Sequence, residues 1–342
     1  AARRARRGLL VAVIAWSLIA AAHAFALSFA ALVALRFLLG VAESPTFPGA
    51  AQVIQRVLPP AERTRAVGIF FTGSSLGAVV APPLATLLLS QFGWRAAFAG
   101  SALVGLLVWV PLWLRNAFTP AARAVLDQQL AAPPTEGAAP SRLAVLRDPI
   151  VLRTCLVGFV VAPGSTFLLF WGAKFLALRY GVPQASMGRY LWFPPLLFDA
   201  GSILFGDLAT RHARRRGTSP RLLFTLGMLL MLCMSLVPFA PNPATAMLLT
   251  GLGGSGLGAL SALSTGFMVS RIAPNRTSTA SGLFVVSQVL GFIITNPIIG
   301  RVVDQTHSYN VVVPVLCLAT IPLCLTWLAW PTRVPVAGAV ST

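Results

Sequence analysis

The sequence predicts an all-α protein that crosses a membrane many times, and three observations carry that prediction. Of its 342 residues, 56% are hydrophobic and 10% charged, whereas soluble chains carry roughly 25% charged residues. Apolar runs long enough to span a bilayer recur along the whole chain. The loops between those runs are alternately rich and poor in arginine. With a mean hydropathy of +0.80, cytosolic enzymes, secreted disulfide scaffolds and disordered chains are excluded. The formal net charge of +18 belongs to a chain too apolar to be a nucleic-acid binder, so no nucleic-acid partner is expected.

A bilayer core of about 30 Å needs about 20 apolar residues in a helix. Ten stretches qualify: 8–26, 28–54, 66–90, 96–114, 150–177, 187–209, 221–239, 244–270, 278–301 and 310–330. They are continuous and do not alternate every second residue, which favours helices over barrel strands. Lys and Arg accumulate on the cytoplasmic side of a membrane. The opening Arg3–Arg7 string, then Arg56, Arg63 and Arg65, then Arg115 to Arg147, then Arg211 to Arg221, then Arg271 and Arg276, and finally Arg333 mark every second loop. Both termini are therefore expected in the cytoplasm. Lys174, Arg179 and Arg189 flank an outer turn, either as snorkelling side chains or as a mouth that attracts anions.

Residues 116–149 interrupt the pattern with Pro120, Pro133, Pro134, Gly137 and Pro140, a composition that suits a linker. The expected organisation is a bundle over 1–115, a cytoplasmic linker over 116–149, a second bundle over 150–332 and a tail over 333–342. An internal repeat relates the bundles. At an offset of 214, Gly68, Phe70, Leu76, Gly77 and Pro83 coincide with Gly282, Phe284, Leu290, Gly291 and Pro297. The opening Arg string likewise answers Arg211–Gly217. Spans one to four thus correspond to spans three to six of the six-span second bundle. Two parallel six-helix repeats joined by a linker are a known plan for secondary transporters.

Several residues are candidates for chemistry, because charges inside a membrane are costly. Arg36 and Glu43 share the second span; seven residues turn a helix about 700° and separate the two by about 10 Å along one face. That spacing fits a structural ion pair, or a site that alternates between internal pairing and substrate. A desolvated carboxylate can take a proton near neutrality. Asp199 lies within the sixth span, as a polar contact between helices or a second proton site. Lys174 ends the fifth span three residues after Trp171, as an interfacial anchor or a cation for a carboxylate. Ser74 and Gln288 occupy equivalent repeat positions, as do Pro82 and Asn296. Inward hydroxyl and amide groups suit a polyhydroxylated ligand, although many such residues only join helices.

Other apparent motifs carry less. The Gly251–Gly258 run resembles a phosphate cradle but sits inside an apolar span with no strand before it, and reads, like Gly73-x-x-x-Gly77, as close helix packing. His23, His212 and His307 are scattered. Cys155, Cys233, Cys317 and Cys324 lie in apolar runs and read as small buried hydrophobes. A membrane-embedded enzyme would need clustered His, Asp or Cys, which the sequence does not supply.

The stretch from Arg36-Phe-Leu-Leu-Gly40 through Glu43-Ser-Pro45-Thr-Phe47-Pro48, Pro59-Pro60-Ala-Glu62-Arg63 and Gly73-Ser74-Ser75-Leu-Gly77 to Phe92-Gly93-Trp94-Arg95 resembles the major facilitator superfamily. Within it, the likeness is to the organic anion transporters: bacterial hexuronate, galactonate and glucarate carriers, and more distantly sialin and the vesicular glutamate transporters. Asp148-Pro149 through Trp171-Gly-Ala-Lys174 to Asp199-Ala-Gly201-Ser202 resembles the seventh and eighth helices of the hexuronate type. Gly206-Asp207-Leu-Ala-Thr-Arg211, with Arg215 in the run that follows, resembles the family's loop signature in its second copy, an acid clasping arginines at a gating hinge.

The resemblance implies the major-facilitator fold with ten of twelve helices present. The chain is expected to lack helices one and two, and with them a helix-one Arg that meets substrate carboxylate. It implies a secondary active transporter of a bacterial inner membrane, moving a small organic anion such as a sugar acid together with protons by alternating access. Glu43, Arg36 and Asp199 are implied in proton coupling, and Arg36, Lys174, Ser74, Gln288 and Asn296 in substrate binding. No cofactor is implied beyond the proton gradient, and no metal. An exporter of drugs or metabolites and a transporter-like sensor or relic on the same fold are the alternatives.

Overall fold

A computed structural model describes residues 2–117, 119–120, 142–216, 221–273 and 275–330. Within these, the side chains of several residues, among them Ser74 and those at 213–216, lie outside the description. So do most of the expected linker, 121–141, and the tail expected over 333–342. Everything described is helix or turn, as a lipid environment requires, because only a helix or a closed barrel satisfies its own backbone there.

The elements run α1 (Ala2–Ala22), α2 (Phe29–Glu43), α3 (Thr46–Val57), α4 (Pro60–Phe92), α5 (Trp94–Val104) and α6 (Val110–Ala117). Past residues 121–141 come α7 (Arg142–Leu146), a short helix inside the stretch expected as a linker, then α8 (Pro149–Thr166), α9 (Gly172–Tyr180), α10 (Gly188–Leu191), α11 (Phe193–Arg216) and α12 (Arg221–Leu232). The chain closes with α13 (Pro243–Arg271), α14 (Thr277–Thr306), α15 (Val312–Leu318) and α16 (Ile321–Ala329). Among the described residues, eight helical stretches are long and apolar enough to cross a membrane. The expected span at 66–90 is helical within α4, and that at 187–209 is divided between α10 and α11 at Trp192; both stand outside those eight.

Local chemistry sets the boundaries. Ser28 accepts from the Ala31 N–H to open α2, and Asn242 accepts from the Thr245 N–H to open α13, each satisfying a donor that a helix start leaves unpaired. Gly181 ends α9 with φ +64°, the left-handed cap that glycine adopts freely.

Two further expected spans are broken. The stretch 28–54 divides into α2 and α3 at Ser44-Pro45, because Pro45 has no N–H to continue the ladder. The stretch 310–330 divides at Thr320, ahead of Pro322. Two π-turns, Gly105–Trp109 and Phe167–Trp171, join α5 to α6 and α8 to α9; such bulges frequently mark functional sites.

The deepest core lies among α8–α16, around Trp327, Phe175, Phe224, Met231, Met234 and Leu257. A second cluster joins Ala51 of α3 to Ile150, Phe267, Met268, Ile272 and Ala280. α11 lies between α4 and α13, and the contacts are backbone to backbone. A Cβ at Gly201 would collide with the Ser255 carbonyl, and one at Gly258 with the Phe198 carbonyl; one at Gly68 would stand 2.8 Å from the Ser202 oxygen. The Gly251–Gly258 run is thus a packing surface. Gly206 near the Thr64 oxygen extends the α4–α11 contact, and Gly188 of α10 stands close to Pro83 of α4.

Gly73 and Gly77 depart from the expected close packing: a Cβ on either meets nothing within 4 Å. Gly77 lines an apolar cavity of about 710 Å³, with Val13, Trp16, Val80, Ser101 and Trp109. Its repeat equivalent Gly291 is tight against Ala162 of α8. The same glycine therefore serves packing in one repeat and borders open space in the other.

This contrast gives a paired prediction for thermal unfolding in detergent micelles. Gly201→Ala should destabilise by about 1–3 kcal/mol, the cost of overpacking. Gly77→Ala should be neutral or stabilise by up to about 1 kcal/mol through helix propensity. Equal effects of the two changes would refute the packing assignment.

Candidate functional site

The helices before the linker (the leading group) and those after it (the trailing group) meet through polar contacts at the arginine-rich end. Gln55 Nε2 donates to the Ile272 carbonyl at 2.6 Å, and the Thr277 hydroxyl donates to Gln55 Oε1. Arg63 Nη1 donates to the Val269 carbonyl at 3.2 Å, and Ser270 Oγ to the Pro60 carbonyl at 3.1 Å. Burial lowers the Arg63 guanidinium from its ordinary pKa, and its donors spend themselves on the carbonyls of Gln55, Leu58 and Val269.

Beside this latch lies the expected gating signature. Asp207 Oδ2 accepts from Arg211 Nε at 2.7 Å, and Asp207 Oδ1 stands 3.9 Å from Arg65 Nε of α4. Gly206 lets the α4 backbone pass close by. Arg215 is helical, but its side chain lies outside the described residues.

Above the latch, three aromatic rings close the space between the groups. Phe47 of α3 lies 5.8 Å from Phe70 of α4 and 5.9 Å from Phe284 of α14. Phe70 and Phe284 are repeat equivalents, so a symmetric pair converges on one ring. Four residues further from the arginine-rich end, about one turn, each of these chain segments carries a polar candidate: Glu43, Ser74 and Gln288. The Ser74 side chain lies outside the described residues; Gln288 is half-buried and Glu43 exposed. Glu43 is the last residue of α2, directly at the Ser44-Pro45 break.

A second level lies about 10–12 Å higher, two turns along the helices. Here Trp171 Nε1 donates to Asn296 Oδ1 at 2.9 Å, and Lys174 Nζ stands 4.9 Å over the Trp171 ring. Asn296 Nδ2 donates in turn to the Phe292 carbonyl, and Gly300 leaves room for the Trp171 ring edge. The structure thus joins Lys174 to Asn296 through Trp171, a residue that sequence reasoning named only as the neighbour of Lys174. Its position at the end of a π-turn, three residues before Lys174, is the signal that marks it.

Other candidates are not brought together. Arg36 leans over Phe98 at 5.7 Å, a ring that stacks on His23 at 5.1 Å. It feels the charge of Glu43 but forms no ion pair with it among the described residues. Asp199 is buried at 5% exposure on α11. Among the described residues no group of His, Cys, Asp and Glu could hold a metal, and the four cysteines are free thiols.

The sequence and the fold both have known relatives. The profile of the Major Facilitator Superfamily matches residues 1–296. The chain belongs to that superfamily. It is similar to the hexuronate transporter of Escherichia coli (strain K12), 27% identical over 311 residues that cover 87% of this chain and 72% of that protein. It is also similar to the probable galactarate/D-glucarate transporter GudP of Bacillus subtilis (strain 168), 26% identical over 302 residues, 82% of this chain and 65% of the relative. A third relative is the D-galactonate transporter of an Escherichia coli O6:H1 strain, 26% identical over 87% of this chain and 74% of that protein. Among solved structures, FucP in its outward conformation superposes with a TM-score of 0.66 at 13% identity, covering 96% of this chain and 84% of that one. That likeness shows the fold alone. This superfamily member is a multi-span membrane protein, and its relatives are transporters, not enzymes.

Removing Gln55 tests the latch. Gln55→Ala deletes two hydrogen bonds of about 1 kcal/mol each, which corresponds to a roughly 5–30-fold change in a conformational equilibrium. Ser281 is fully buried on α14, so a cysteine placed there by Ser281→Cys reports opening. Thiol labelling should quicken by that order in the Gln55→Ala background; an unchanged rate would mean that other contacts hold this end shut.

Proposed function

We propose that the chain is the transporting part of a proton-coupled carrier of sugar acids, a hexuronate, galactonate or glucarate, working by alternating access in a bacterial inner membrane. The observation that carries this reading is the two-level site. A carboxylate and neutral polar positions stand over an aromatic floor, with a lysine, an indole and an amide linked above them. The curated relatives, which carry hexuronate, galactarate, D-glucarate and D-galactonate in their names, supply the substrate class.

The chemistry divides by level. A sugar acid presents a carboxylate and a row of hydroxyls. Lys174, held over Trp171, offers a cation for the carboxylate, while Asn296 and Gln288 offer amides to hydroxyls. Arg36 stands on the leading side at similar height as a second cation. Proton uptake at Glu43 removes a negative charge from the floor and so lowers repulsion toward an entering anion, which couples the two ligands energetically. Asp199 is a further proton-coupling candidate within the trailing group. The arginine-rich end faces the cytoplasm, in keeping with the distribution of Lys and Arg. The Gln55–Thr277 latch and the Asp207–Arg65 pair then close the inner side, and their rupture accompanies inward opening.

Reconstitution in proteoliposomes with radiolabelled hexuronate, galactonate or glucarate tests this reading. An inwardly directed proton gradient should drive accumulation. Glu43→Gln should abolish accumulation yet spare counterflow exchange, and accumulation unchanged by that substitution would remove Glu43 from coupling. Lys174→Met should raise the half-saturating concentration by about 10–100-fold, the worth of a charge-assisted hydrogen bond. Trp171→Phe should raise it by about fivefold, for the loss of one neutral hydrogen bond. Drug efflux without any sugar-acid uptake would establish the exporter instead.

A further inference from the structure

The arginine-rich end of the trailing group holds a charge arrangement that the transport site does not use. Arg153 lies on α8, four residues and about 6 Å inside its start, and is 2% exposed. Its Cζ stands 3.8 Å over the Trp327 ring and 5.2 Å from the Phe267 ring. Trp327 stacks on Phe224 at 3.7 Å, and Arg271 covers Phe267 at 3.9 Å. The order is therefore Phe224, Trp327, Arg153, Phe267, Arg271, a stack built from four helices.

The stack supplies packing but little countercharge. Arg153 Nη2 donates to the Trp327 carbonyl at 3.1 Å, while its Nε is buried without a hydrogen-bond partner. Arg153 lies within electrostatic reach of two further guanidiniums, Arg221 and Arg271. Among the described residues no carboxylate pairs with any of the three. Asp148, the nearest acid in the chain, is committed to the Ile150 N–H and to Arg276. Two like charges beside one buried guanidinium repel it unless an anion joins them.

Exposure shows from which side an anion comes. Arg221 is exposed and Arg271 half-buried, with Arg153 beneath them. Below Arg221, Leu222, Leu226 and Leu229 form an exposed stripe down α12 at helical spacing, the face that lipid chains cover. We infer that Arg221 and Arg271, over Arg153, bind the phosphate of an anionic phospholipid headgroup, whose acyl chains run along the Leu222–Leu226–Leu229 stripe. Arginine's fork suits a phosphate's oxygens, and basic pockets between helices at the cytoplasmic surface are suited to anionic headgroups. The apolar stripe distinguishes this from a site for free phosphate, which has no use for it.

Native mass spectrometry and thermal unfolding of the purified chain in mild detergent test the assignment, with phosphatidylglycerol, phosphatidylcholine of matched chains and inorganic phosphate as the three probes. Phosphatidylglycerol should remain bound and raise the melting temperature, while the other two should do neither. Arg221→Gln should weaken retention of phosphatidylglycerol by about fivefold, the attraction of one basic residue to an anionic surface, and Arg221→Gln/Arg271→Gln should weaken it further. Because Arg221 is exposed, the single variant tests the site even where the double variant does not fold. An equal effect of phosphatidylcholine, or full retention by Arg221→Gln, would overturn the inference. Reproduction of the shift by inorganic phosphate would overturn the lipid assignment in favour of a soluble anion.

Discussion

Because a bilayer offers no hydrophobic force between helices, packing falls to residues small enough for backbones to touch. Here that constraint is met along one seam. α11 lies between α4 and α13 through Gly68, Gly201, Gly206 and Gly258, where a single added carbon would meet a carbonyl. The seam ties the leading group to the trailing one and fixes α4 in height and rotation. Phe70 is carried on α4, two residues from Gly68, so the floor of the candidate site inherits its position from this contact.

The floor in turn orders the rest. Phe70 and Phe284 come from equivalent places in the repeat and meet at Phe47, and Ser74, Gln288 and Glu43 each lie four residues along the chain from one of these rings. At the same time the rings screen this level from the latch below, where Gln55, Arg63, Ser270 and Thr277 use backbone carbonyls of the opposite group as partners. Carbonyl contacts of this kind are individually modest. A set of modest contacts suits a closure that must open, in a way that a buried ion pair does not.

Much of this was legible in the sequence, because membrane helices write themselves in composition. The apolar runs predicted where the helices stand, and the glycine run in α13 was readable as packing once the absence of a preceding strand ruled out a cradle. The repeat offset paired Ser74 with Gln288 before any geometry was known. What escaped was whatever depends on a neighbour. Gly73 and Gly77 read as a packing motif, but a motif packs only where a helix faces it, and Gly77 borders a cavity where Gly291 touches Ala162. Trp171 stood only as the neighbour of Lys174, since nothing local reveals that its indole N–H points at Asn296, 125 residues away. The break at Ser44-Pro45 had a visible cause in Pro45, yet the stretch 28–54 is apolar enough overall to read as one span.

That break separates the two repeats in kind. At the offset of 214, Glu43 corresponds to Leu257, and the chain there continues unbroken through α13, buried and held by glycine contacts on two sides. The leading copy has instead a carboxylate, a proline interruption and, over α2, no buried residue. A continuous, tightly packed helix in one repeat supplies a fixed reference. An interrupted one in the other can change its angle at little cost, because the backbone bonds at the break are already forgone. Placing the ionisable group at the interruption lets a change of charge act on the one part of this pair that is free to respond. The asymmetry between Glu43 and Leu257 is therefore the physical basis for the proposed coupling on the leading side, and Lys174, Trp171 and Asn296 make the trailing side the proposed place of the ligand.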